Sequence, residues 1–192
     1  QELFTSNVSS FYEIFRYQLK ESFTMLHNVF DEFEHLSIQH KITLFKNFIG
    51  KFTAIEGIHY SANYFTNNFK LMTSLMTCID LSNLEGWISD ADIVEMRYEF
   101  RAAVRSFSHD YHKLEVPMVR MDDFTEREFH ALIILAYCDL NPSLDLPEEI
   151  FHLATQTKSQ LLAELQEYYR KELNLKDLSH RLGTLLTFAQ GA

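Results

Sequence analysis

Apolar positions recur every three or four residues along most of this chain, the spacing of helices that bury one side. The pattern is strongest from Met25 to Tyr60. Met25, Leu26, Val29, Phe30, Phe33 and Leu36 share one side of a helix, which the periodicity starts near residue 7 and carries through Phe11, Ile14, Phe15, Leu19 and Phe23 to residue 36. Ser37 is then an N-cap, its hydroxyl placed to accept an orphan amide of a second helix. In that helix Ile42, Phe45, Phe48, Ile49, Phe52 and Ile55 cover nearly two faces, which predicts an element in the middle of a domain that runs to about Phe65. Charge is confined to what is left. Asp31, Glu32 and Glu34 end the first helix, and Lys41, Lys46 and Lys51 flank the start of the second.

From Asn67 to Asp92 the periodicity weakens. Leu71, Met72, Leu75, Met76 and Ile79 allow a short helix, Asn83 to Trp87 reads as a turn, and two short strands are allowed nearby. Ser89 with Asp92 opens a helix through Val94, Tyr98, Ala102 and Arg105, which Val116-Pro117 stops because proline disfavours helical geometry in the residue before it. Thr125-x-x-Glu128 is a capping box for a helix whose Phe129, Leu132, Ile133, Leu135 and Ala136 make it nearly all buried, ending at Asn141-Pro142. Pro147 at a first helical position, followed by Glu148 and Glu149, starts another helix that lasts to about Leu173. Asp177 or Ser179 caps a final one. The sum is an all-α fold of about six helices, with those apolar over most of their circumference sandwiched in the middle of three layers.

Composition narrows the classes. At 192 residues with 46% apolar content, residues 1–192 are expected to form a single domain with a substantial core. Only 5 Gly and 3 Pro favour long helices over hairpins. Cys78 and Cys138 both lie in apolar runs and read as buried free thiols of a reducing compartment. No apolar stretch approaches the roughly 20 residues that span a bilayer, and no signal-peptide pattern opens the sequence, so the Asn7-Val8-Ser9 sequon is expected to be silent. A net charge of −10 counts against direct nucleic-acid binding, since phosphate contacts need concentrated Lys and Arg.

Phe33-Glu34-His35-Leu36, the polar turn Gln39-His40-Lys41 and Leu44-Phe45-Lys46 together resemble the signature of nuclear hormone receptor ligand-binding domains. Leu178-Ser179-His180-Arg181-Leu182-Gly183-Thr184-Leu185-Leu186 is similar to that family's dimerisation helix, in a Leu-Gly form associated with the expanded nematode receptors. Phe124 to Phe129 and Asn141-Pro142 fit the family in order and spacing, and the resemblance extends over most of residues 8 to 190.

The resemblance implies a three-layer helical sandwich with one small β-hairpin, a nuclear location, and three sites. The first is a groove for short amphipathic helices of coregulator proteins, with Ile38, Lys41, Ile42 and Phe45 as its strip, Phe33 in the signature beside it, and Lys46 as a basic residue. Asn28 stands where the family's other basic residue is expected. Taken physically, these positions are equally ordinary helix surface. The second is an interior pocket for a small lipophilic ligand, around Leu19, Thr53, Ala54, Gly57 and Tyr60. Tyr60 replaces the Arg that holds a carboxylate in several relatives, which favours a neutral or weakly polar ligand. Phe15, Phe23, Phe52 and Phe65 filling that space is the competing reading, because packed cores tolerate few voids. The third is a homodimer or heterodimer surface at Arg181, Leu182, Leu185, Leu186 and Phe188. DNA is then contacted only through a separate zinc-containing domain, and the family's terminal activation helix is expected to follow the final helix.

Enzymatic chemistry is not expected, since no Gly-x-Ser-x-Gly, phosphate loop or isolated acid pair occurs. His109 and His112 could share a helical face, but two ligands without a third make a weak metal site, and no cofactor is expected. Two functions remain open: a ligand-binding, coregulator-recruiting receptor domain, or a ligand-independent dimerisation and docking module with a self-filled pocket.

Overall fold

A computed structural model describes residues 4–65, 70–74, 77–80, 82–83, 86–87, 102, 106 and 125–191. Six helices and a small sheet form among them: β1 (Phe4–Thr5), α1 (Val8–Val29), α2 (Asp31–His35), α3 (Ile38–Tyr64), β2 (Lys70–Met72), β3 (Thr77–Asp80), α4 (Glu126–Cys138), α5 (Glu148–Lys171) and α6 (Ser179–Gly191). The fold is all-α with a small β-sheet. The helix expected after Ser89, its Val116-Pro117 stop and the His109/His112 pair lie outside the described residues. Two compact units share the chain, one of Gln1–Ser22 with Glu56–Arg120 and one of Phe23–Ile55 with Met121–Ala192.

In the first unit, β2 and β3 form the expected hairpin, with Leu71 opposite Ile79 and Met72 opposite Cys78. Sequence analysis does not anticipate the third strand. β1 pairs parallel to β3, and the Ser6 amide donates to the Cys78 carbonyl at 2.8 Å. Asn7 caps α1: its side-chain oxygen accepts the Ser10 amide at 2.9 Å, and Ser10 Oγ accepts the Asn7 amide at 3.0 Å.

The hairpin sits directly on α3. Ser61 Oγ accepts the Met72 amide at 2.8 Å and donates to the Gly57 carbonyl at 2.6 Å. A Cβ on Gly57 would meet the Met72 carbonyl oxygen at 3.2 Å and Leu71 Cδ1 at 3.4 Å, whereas one on Gly50, in the same helix, would meet nothing within 4 Å. Gly50→Ala is therefore expected to raise stability by up to about 1 kcal/mol through helix propensity. Gly57→Ala is expected to give no gain and a loss of up to about 2 kcal/mol, because backbone crowding outweighs propensity. Urea denaturation of the two variants makes the comparison.

In the second unit, the long first helix that periodicity predicts to residue 36 is broken. Phe30 is extended, with φ −116° and ψ 102°, and a separate α2 follows. The cause is packing: the Phe30 ring turns inward and stacks on Tyr137 with centroids 3.7 Å apart. The break also gives Asp31, Glu32 and Glu34 a new helix N-terminus to complement, rather than the end of an old one. Ser37 caps α3 as expected, accepting the His40 amide at 3.2 Å.

α4 carries the predicted capping box and is buried on most sides, through Glu128, Phe129, Ala131, Leu132, Leu135, Ala136, Tyr137 and Cys138. It packs against both α5 and α6. Pro147 stands at the N-cap of α5 rather than inside it, and that helix stops at Lys171, two residues short of the expected Leu173, before Asn174 turns the chain with φ 51°. Cys78 and Cys138 are buried free thiols, and burial pushes the Cys138 thiol up to about 11.

Candidate functional site

The second unit explains why α3 is apolar on two sides. Leu44, Phe48, Phe52 and Ile55 form one side and are buried. Ile38 and Ile42 begin the other side, yet Ile38 is 68% exposed and Ile42 37%. Val29, which the periodicity places with the buried face, is 59% exposed because the chain turns at Phe30 immediately after it. Large aliphatic side chains are thus left in water at the end of α1 and the start of α3, which makes the start of α3 the candidate docking strip.

Its base is aromatic. The Phe23 ring meets both Phe33 and Phe45 edge-on, each pair with centroids 5.3 Å apart, so one ring ties together α1, α2 and α3. Phe33 is fully buried and contributes to the floor, while Phe45 is half-buried. Lys41 Nζ lies 5.8 Å from the Phe33 centroid, within cation–π range. Lys46 is exposed two turns beyond Ile38, and Asn28 is exposed at the last turn of α1. All the groove residues singled out in the sequence thus fall in this one unit, on adjacent elements.

Residues at the end of α4 hold α2 and α3. The Tyr137 hydroxyl donates to Glu32 Oε1 at 3.3 Å, and burial first, then Glu32, holds its phenol far above the ordinary tyrosine value, so it remains a neutral donor. Asp139 accepts three hydrogen bonds from α3: its carbonyl accepts Asn47 Nδ2 at 3.0 Å and Lys51 Nζ at 2.8 Å, and its carboxylate accepts Lys51 Nζ at 2.6 Å. Lys51 is therefore a structural cation, unlike Lys46.

Glu128 is the electrostatic centre of the unit. It is fully buried, and beyond its capping bonds to Thr125 it accepts Arg181 Nε at 2.5 Å, Arg181 Nη2 at 2.7 Å and Tyr169 OH at 2.8 Å. Burial pushes its carboxyl upward, but the donors from Arg181, Thr125 and Tyr169 overcome this and hold it below the usual carboxylate value. The same contacts hold the Arg181 guanidinium charged. One three-residue motif thereby joins α4, α5 and α6.

Residues of the expected dimer surface therefore divide. Arg181 is committed to Glu128, and Leu185 and Phe188 are 1% and 3% exposed, packed within the chain's own unit. Leu182 and Leu186 are half-buried beside an exposed Gly183. The expected pocket residues divide too: Leu19, Gly57 and Tyr60 belong to the first unit, Thr53 and Ala54 to the second. The Thr53 hydroxyl donates back to the Ile49 carbonyl at 3.0 Å. Burial raises the Glu56 carboxyl, and burial with the charge of Glu56 raises the Tyr60 phenol one turn away.

Among the described residues no group of three or more His, Cys, Asp or Glu side chains is placed to hold a metal ion. No helix among them is long and apolar enough to cross a membrane.

Sequence reasoning misses the exposure of Val29, the grip of Tyr137 and Asp139, and the partners of Glu128. Only the last leaves a trace in sequence, in the capping-box Glu128.

The family model described as the ligand-binding domain of nuclear hormone receptor matches residues 1–190. A Caenorhabditis elegans relative, "High zinc activated nuclear receptor protein", is 29% identical over 170 residues, which is 84% of this chain and 40% of the relative. The chain thus spans less than half the length of that relative.

Proposed function

The chain belongs to the nuclear hormone receptor ligand-binding domain family, and from that premise we propose that it recruits coregulator proteins through the strip formed by Ile38, Lys41, Ile42 and Phe45. The observation that carries this reading is the exposure of Ile38 and Ile42 on the helix whose Phe45 joins the Phe23–Phe33 ring cluster. An amphipathic helix with a Leu-x-x-Leu-Leu face fits such a strip, its apolar anchors replacing water over the isoleucines. Lys46 lies at one end, where a cation favours the carbonyl-rich terminus of a docked helix or an acidic side chain beside it. Asn28 supplies no such charge, so Lys46 carries the polar part of recognition.

Lys46→Glu is expected to weaken binding of a Leu-x-x-Leu-Leu peptide at least about tenfold in fluorescence polarisation, since it replaces an attraction with a repulsion at an otherwise water-exposed site. Undiminished affinity removes the strip from this account.

Family membership implies a nuclear location and a role in transcription regulation, and the family is generally non-enzymatic. A small lipophilic ligand acts here by population shift, favouring the arrangement that docks coregulators better. Burial raises both the Glu56 carboxyl and the Tyr60 phenol, an apolar setting that favours a neutral ligand. A second reading is favoured by Gly57: the room beside it is filled by β2, as in a ligand-independent docking module. Native mass spectrometry decides between the two. A stoichiometric lipophilic adduct supports the ligand, whereas a bare chain with full peptide affinity supports the module.

Any homodimer or heterodimer contact on α6 falls to Leu182 and Leu186. Leu186→Arg is expected to convert a dimer to monomer in analytical ultracentrifugation while the fold persists, and Leu185→Arg to lose the fold instead. With a net charge of −10, contact with DNA belongs to a separate domain.

A further inference from the structure

We infer that Tyr137 is the positioning residue of the docking strip, setting the corner between α1 and α2 on which Val29 and the aromatic floor are aligned. The inference rests on the coregulator-docking reading and names the residue that gives that surface its shape.

Phe30 is the extended residue between α1 and α2. An extended residue between two helices is a corner, and the hydrogen bonds around it leave its angle loosely fixed: the Phe30 amide donates to the Leu26 carbonyl at 3.1 Å and the Phe33 amide to the Phe30 carbonyl at 2.9 Å. These are single bonds on either side of a hinge. What defines the corner is Tyr137, 3% exposed, whose ring stacks on Phe30 at 3.7 Å with an interplanar angle of 13°. Its hydroxyl reaches past that ring to Glu32 on α2, so one side chain engages both the hinge residue and the helix beyond it. The same ring and Phe48 of α3 are T-shaped to each other, with centroids 6.1 Å apart. Tyr137 thus touches the hinge, α2 and α3, the three elements that bound the strip.

Tyr137, Phe30 and Phe48 are all buried, so none of these rings is offered to a docked helix. Tyr137 acts through Phe30 and Glu32, and a change there alters binding by moving Val29, Phe33 and α2 rather than by removing a contact to the partner. The stack and the hydroxyl separate its two functions: the ring fixes the corner, and the hydroxyl fixes the rotation of α2 about it.

The test uses the whole chain at a temperature well below its unfolding transition. Tyr137→Ala is expected to weaken binding of a Leu-x-x-Leu-Leu peptide at least about tenfold, and Tyr137→Phe, which keeps the stack, to restore affinity to within about threefold of the parent. Leu165→Ala, a buried truncation in α5 away from the strip, controls for loss of stability and is expected to leave affinity unchanged. Amide hydrogen exchange supplies a readout that needs no peptide: in Tyr137→Ala, exchange quickens in residues 26–36 while residues 148–189 retain their protection. The inference is overturned by unchanged affinity in Tyr137→Ala, by an equal loss in Leu165→Ala, or by a uniform rise in exchange. Parent protein that binds no peptide, with exchange quickened only in residues 26–36, removes the docking reading and leaves the corner assignment standing.

Discussion

Arg181→Met lowers the unfolding free energy by about 3–5 kcal/mol, the cost of leaving a buried charge without its partner. Glu128 is fully buried, and among the described residues Arg181 donates to both of its carboxylate oxygens and supplies its only opposite charge. Methionine restores the volume but not the charge, so the loss is electrostatic and exceeds that of a core truncation in the same place. Guanidinium denaturation followed by circular dichroism measures it.

The pH dependence identifies the cause. Glu128 is depressed below its ordinary value of 4.5 in the folded chain, so its stabilisation is fully present above 4.5 and is lost as pH falls through the lower folded value. In Arg181→Met the carboxyl is buried without a cation, its folded value rises, and protonation relieves the strain. The gap between parent and variant is therefore widest at neutral pH and closes in acid. A gap independent of pH would mean that Arg181 contributes packing alone.

Ile42→Asp gives the opposite result. With Ile42 37% exposed, unfolding free energy changes by no more than about 1 kcal/mol, as for other surface positions. Binding of a Leu-x-x-Leu-Leu peptide, however, falls at least about 30-fold, about 2 kcal/mol, since an apolar anchor at the centre of a docking strip is replaced by a charge that the partner must desolvate. Isothermal titration calorimetry reads the affinity and denaturation the stability. Loss of both would assign Ile42 to the core, and loss of neither would leave the strip without function.

The contrast between these variants shows what the sequence discloses. Ser37 and Thr125-x-x-Glu128 were legible because a cap is a contact between residues three apart, and the structure has both. The helices at Ile38–Tyr64, Glu126–Cys138, Glu148–Lys171 and Ser179–Gly191 were legible because their apolar period is a local property. Phe30 was not: it fits the helical period, and the ring it stacks on, Tyr137, is over a hundred positions away in the chain. The same limit governs the site. Periodicity reveals that α3 has two apolar sides, but not that the one with Leu44 and Phe48 is buried while Ile38 and Ile42 on the other meet water. In α6 it marks Leu182, Leu185, Leu186 and Phe188 as apolar, but not that Leu185 and Phe188 are satisfied within their own chain. Whether an apolar face packs internally or awaits a partner depends on contacts distant in sequence, as does the pairing of Lys51 with Asp139. The short β1 strand escapes for a related reason: two residues are too few to carry a period.

Amide hydrogen exchange of the chain with and without a Leu-x-x-Leu-Leu peptide tests the docking strip most directly. The account predicts new protection at the end of α1, in α2 and in the first turns of α3, within residues 23–46, with α5 and α6 unchanged. Protection confined to other elements, or none at saturating peptide, would contradict it.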